Sequence, residues 1–78
     1  MGTHMKNPIR TILGRSDVHL EREHGQVRWD TKTGKTSLVF GEHGKGTRMV
    51  TRPNGKSVIE QQYGNLRFSS DRGTETLL

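Results

Sequence analysis

The chain contains no cysteine, so neither disulfides nor a Cys-based metal knuckle can hold it together. Aromatics are scarce: one Trp, one Tyr and two Phe in 78 residues. Only 27% of the residues are hydrophobic, and Leu, Ile, Val and Phe together number 16. A chain this short must offset roughly 1–2 kcal/mol of backbone entropy per residue, and so small an apolar complement is expected to need help. Oligomerisation is the route left open. No apolar run approaches the roughly 20 residues of a membrane helix, and no signal peptide is visible, so no membrane partner and a cytoplasmic location are expected. Met1-Gly2-Thr3-His4-Met5 reads as an expression-tag remnant, leaving residues 6–78 as one small domain.

Glycine, by contrast, is plentiful and regularly spaced. Gly14, Gly25, Gly34, Gly44, Gly55, Gly64 and Gly73 recur every 9–11 residues. Between them run short segments with apolar residues at every second position, the signature of β-hairpins. Ser16 to Glu23 places Val18 and Leu20 on one face and His19, Glu21 and Glu23 on the other. Gln26 to Asp30 carries Val27 and Trp29 together. In Lys35 to Phe40, the run Leu38-Val39-Phe40 suggests burial on both faces, as at a subunit contact. Thr47 to Arg52, Lys56 to Gln62 and Asn65 to Ser70 follow, with Pro53-Asn54-Gly55 a strong turn signal. Lys6 to Gly14 is a short helix or an edge strand, and Asp71 to Leu78 a loose tail. The expected fold is all-β: an antiparallel meander of five to six short strands, completed as a ring or sandwich across subunits of a homo-oligomer. Trp29 and Phe68 are expected in its core and Tyr63 on a wet face.

The net charge is +5, from 13 Lys and Arg against 8 Asp and Glu, which suits a polyanionic partner. Lys45, Arg48, Arg52 and Lys56 fall within twelve residues that contain no acid. Arg48 and Arg52 share a face about 13 Å apart, near twice the phosphate spacing of an extended strand. With Tyr63 and Arg67 near bases, such a stripe could track single-stranded RNA; a solvated strand face explains the same charges.

Two Gly-Lys-Thr/Ser fragments, at Gly34 and Gly55, lack the earlier glycine and following helix of a phosphate loop, so no nucleotide triphosphate is expected. His19, Glu21, Glu23 and His24 have no metal spacing signature, so no metal or other cofactor is expected. Glu42, His43, Arg48 and Arg52 hold the ingredients of a small metal-independent ribonuclease or toxin domain, but no catalytic set can be assigned.

Phe40-Gly41-Glu42-His43-Gly44, the basic strand after it, and Val58-Ile59-Glu60-Gln61-Gln62-Tyr63-Gly64 resemble the trp RNA-binding attenuation protein family and its TRAP-like relatives. The resemblance spans about residues 34–70. It implies an all-β protomer in a closed ring with single-stranded RNA around a basic rim. It puts Arg48 and Arg52 near RNA-contacting cations, and His43 and Gly44 in a loop around a small-molecule effector. The expected function is an oligomeric, non-catalytic RNA-binding regulator. A trimeric fibre or spike segment of a phage or secretion system is the alternative from a structural class, and the ribonuclease the alternative from an enzymatic one.

Overall fold

In a computed structural model, residues 9–42 and 46–78 are described, and every regular element among them is a β-strand. The order is β1 (Arg10–Leu13), β2 (Val18–His24), β3 (Val27–Asp30), β4 (Thr36–Phe40), β5 (Thr47–Thr51), β6 (Ser57–Tyr63), β7 (Leu66–Ser69) and β8 (Gly73–Leu77). Each strand pairs antiparallel with the next, and β1 closes on β8 through Ile12–Leu77 and Leu13–Thr76. The chain is therefore a closed up-and-down barrel, and closure removes the exposed sheet edges.

The expectation of an antiparallel all-β chain holds. The five-to-six-strand meander awaiting completion by other subunits is corrected: eight strands close within one chain. The two closing strands account for the difference: Lys6 to Gly14, open between helix and edge strand, supplies β1, and the tail expected to be loose supplies β8. Arg10–Leu13 is short, and Gly73–Leu77 mixes Thr and Glu with a single leucine, so neither shows an apolar alternation. Each is held by its neighbours' ladders, with β8 also tied down by hydrogen bonds from Leu77 N to Asn65 O and Leu78 N to Thr11 O.

Glycines set the tight turns. Gly25 and Gly64, each at φ +60°, open the two-residue loops of the β2–β3 and β6–β7 hairpins. Gly55 at φ +90° donates its N–H to Arg52 O, while the Asn54 side chain accepts from Lys56 N, which fixes the β5–β6 turn.

The period-2 pattern is obeyed, but its sense is reversed. Glu21, Arg28, Arg52, Glu60, Arg67 and Glu75 point inward and are buried. Leu20, Val27, Leu38, Phe40, Met49, Ile59, Leu66 and Phe68 point outward, each 37–48% exposed. The apolar interior is limited to Ile12 beside Leu77 and Val39 beside Val50. Leu38-Val39-Phe40 is thus buried on one face only, through Val39, and Phe68 lies outside the core. An eight-stranded barrel is just wide enough for side chains to fill its lumen. Here long Arg and Glu side chains fill it, because each finds an opposite charge across the lumen.

Candidate functional site

The inward residues form one ionic network running the length of the barrel. Arg28, on β3, makes a two-pronged contact with Glu60 on β6, at 2.8 and 3.0 Å. It also donates to Glu23 at 3.2 Å and lies 3.5 Å from Glu21. Arg67, on β7, grips Glu21 at 2.8 and 3.2 Å and donates to Glu75 at 3.0 Å. Arg52, just past β5, donates to Glu60 at 3.1 Å, to Ser69 Oγ at 3.1 Å and to both oxygens of Asp71 at 2.9 and 3.0 Å. Arg48 holds Glu23 at 2.6 and 3.0 Å. His19 Nε2 lies 3.2 Å from Glu21, and its Nδ1 lies 3.7 Å from Asp17. Among the described residues, no buried side-chain N or O atom lacks a partner.

These contacts settle the ionisation states. Burial alone would push the Glu60 carboxyl up, but the hydrogen bonds and charge of Arg28, with Arg67 and Arg52 beyond, hold it at about 2. Glu21 and Glu23 are likewise held below the ordinary carboxylate range against the cost of burial, by Arg67 and by Arg48 with Arg28. The Arg52 hydrogen bond holds Asp71 at about 2. Carboxylates so fixed stay ionised near neutrality and keep their arginine partners there.

The expected site residues part company in space. Arg48, Arg52 and Arg67 face the lumen, where carboxylates occupy their guanidinium groups. Their common parity was legible, but the face they share is the inside. Lys56 is exposed in the β5–β6 turn and Tyr63 is 68% exposed at the end of β6. His43, Gly44 and Lys45 lie outside the described residues. Of the proposed ribonuclease set, the two arginines are committed to the network. His19, Glu21 and Glu23 do share a face, but arginines fill it, and no cluster of three or more His, Asp or Glu among the described residues could hold a metal.

Two cavities flank the network, and neither was legible in the sequence. One, of about 290 Å³, opens at the end holding the start of β1 and the finish of β8; Arg10, Arg22, Glu23, Arg48 and Gln62 line it. The other, of about 530 Å³, opens at the far end among the β1–β2, β3–β4 and β7–β8 turns. Arg15, Asp17, His19, Lys35, Arg72 and Glu75 are part of its wall. The lining residues come from turns that are remote in sequence, which is why no linear motif announces it.

The outer wall is the other candidate surface. Phe40, Met49 and Ile59 lie side by side across β4, β5 and β6. Val27 and Leu38 pair beside them, and Phe68, Leu66 and Tyr63 extend the patch over β6 and β7. The outer wall turns polar at β8, where Thr74 and Thr76 face outward, while Leu13, Val18 and Leu20 carry apolar surface onto β1 and β2. No helix is long and apolar enough to cross a membrane. No family model, curated protein or solved structure matches the chain.

Proposed function

We propose that the protein is a non-catalytic assembly module that self-associates through the outer face of β3 to β7. The observation that carries this reading is the inversion of the barrel: charges paired inside, large apolar side chains outside, most densely over β3 to β7. Eight side chains with 37–68% of their surface exposed present on the order of 600 Å² of apolar area, at the upper end of what monomers display. That approaches the roughly 800 Å² per partner of a standard interface.

A lipid annulus fits less well. Outward apolar residues come at most two to a strand and span at most about 13 Å of it, from Ile59 to Tyr63, whereas a membrane barrel carries an apolar band about 25 Å tall. The barrel has no free sheet edge, so copies would meet face to face and not by continuing a sheet. A structural role, such as a segment of a phage or secretion-system assembly, suits such contacts.

Phe40→Lys with Met49→Lys tests this. Light scattering should give a multiple of the 8.8 kDa chain mass for the parent protein and the single-chain mass for the variant, with the β-sheet circular dichroism kept. A parent protein that stays monomeric at tens of micromolar would refute the reading.

RNA binding by a TRAP-like, cytoplasmic regulator is the second reading, and the charge left outside the network favours it. The lumen takes up four Arg (28, 48, 52 and 67) and five carboxylates (21, 23, 60, 71 and 75). That leaves nine of the 13 Lys and Arg against three of the eight Asp and Glu. Lys32, Lys35 and Lys56 stand exposed on turns at the far end. Changing these three to Gln should flatten the salt dependence of single-stranded RNA binding in a filter assay. No retention of RNA by the parent protein at low salt would remove this reading.

A further inference from the structure

We propose that the far-end cavity binds a small phosphorylated polyol, of sugar-phosphate or mononucleotide size. The cavity holds about 530 Å³ and is recessed in the mouth of the barrel, a place and size usual for small-ligand sites. Its electrostatics are divided. The deep carboxylates, Glu21 and Glu75, are held by Arg67, with Arg28 beside Glu21, and Asp71 by Arg52. The rim cations are not matched: the side chains of Arg15, Lys35 and Arg72 make no hydrogen bond or ion pair among the described residues. Three unmatched cations around a recess are donors awaiting an anion.

A glycine seats one of the three. Gly73, at φ +71°, starts β8, and a Cβ there would lie 2.8 Å from Arg15 Cδ and 2.9 Å from its Nη1. The bare backbone lets the Arg15 side chain lie against the rim, beside the residue that follows Arg72. Arg15 and Arg72 both line the cavity, and guanidinium groups in one recess suit the oxygens of a phosphate group. Lys35 approaches from the β3–β4 turn. Asp17, 66% exposed on its side chain and 3.7 Å from His19 Nδ1, adds a carboxylate that can accept from a ligand hydroxyl. A phosphate ester bearing hydroxyls uses both kinds of group, whereas inorganic phosphate uses only the cations. A polymer could not thread through the barrel, because paired Arg and Glu side chains fill the lumen behind the cavity.

Titration calorimetry would test this on the full chain, supported by the fluorescence of its one tryptophan, Trp29, which lines the cavity. Ribose 5-phosphate and adenosine monophosphate are the probes, with ribose, inorganic phosphate and a short single-stranded oligonucleotide as comparison arms. At least one ester should bind at one site per chain, with ribose silent and inorganic phosphate weaker. Arg15→Gln with Arg72→Gln should weaken the binding at least about tenfold while keeping the thermal midpoint. Lys56→Gln, an exposed cation at the same end but outside the cavity wall, should change nothing. The proposal is overturned if neither ester saturates by about 10 mM, or if the oligonucleotide alone binds. Inorganic phosphate binding as tightly as the esters would also overturn it, as would equal losses in the double variant and in Lys56→Gln.

Discussion

Replacing Glu60 with Gln removes one negative charge from the middle of the lumen and leaves the shape almost unchanged. Glu60 is 3% exposed and receives Arg28 through two hydrogen bonds and Arg52 through one. A carboxyl held at about 2 instead of 4.5 contributes about 3 kcal/mol to folding at neutral pH. Breaking a buried ion pair costs about 3–5 kcal/mol in general. The lower end applies here, because Arg28 keeps Glu23 and Glu21 nearby and Arg52 keeps Asp71. A 78-residue chain has roughly 4–12 kcal/mol of stability in all, so the loss is a large share. With a urea slope of about 1 kcal/mol per molar, the midpoint should fall by about 3 M. The pH dependence gives an independent check. A depressed folded-state pKa confers stability above the unfolded value, and that stability is lost as pH falls through the folded one. The parent protein should therefore weaken steadily from about pH 5 toward pH 2, and Glu60→Gln should weaken less over the same range. Urea titrations followed by circular dichroism at fixed low protein concentration would read both effects. A variant within about 0.5 kcal/mol of the parent at pH 7, with an unchanged pH slope, would refute the idea that the lumen is held by ion pairing.

Arg52→Ala should destabilise by about 3 kcal/mol or more, because Glu60 and Asp71 lose a shared partner; thermal melts would show this, and a selective loss of RNA affinity with intact stability would contradict it. Ile12→Ala, at a fully buried position, should cost about 2–5 kcal/mol. Phe68→Ala, on the outer wall, should cost a dilute single chain much less, and equal costs would deny the inversion. Gly55→Ala should cost about 1–2 kcal/mol from backbone strain alone, since its φ is +90° and no atom crowds the added Cβ; a neutral melt would show that the turn can relax.

Residue pattern alone was enough for the strand class, the turns and the pairing of positions on faces. Alternation at Val18–Glu23 and Arg48–Arg52, with turns at Gly25, Gly55 and Gly64, needs only the two-residue period and the freedom of glycine. The same pattern could not say which face is inside. Alternation is symmetric under that exchange, and the usual tie-breaker, that apolar groups go in, points the wrong way here. Only closure decides it. Once β1 meets β8, Arg28, Arg52 and Arg67 face Glu21, Glu60 and Glu75 across a lumen too narrow for bulk water, and mutual pairing offsets the cost of burial that each would meet alone. The far-end cavity likewise exists only because Arg15, Lys35 and Arg72, spread over nearly the whole chain, are carried to one rim by the up-and-down winding. Sequence determined what could alternate. The three-dimensional ring of strands determined which half of each alternation met its opposite charge and which half was left facing outward.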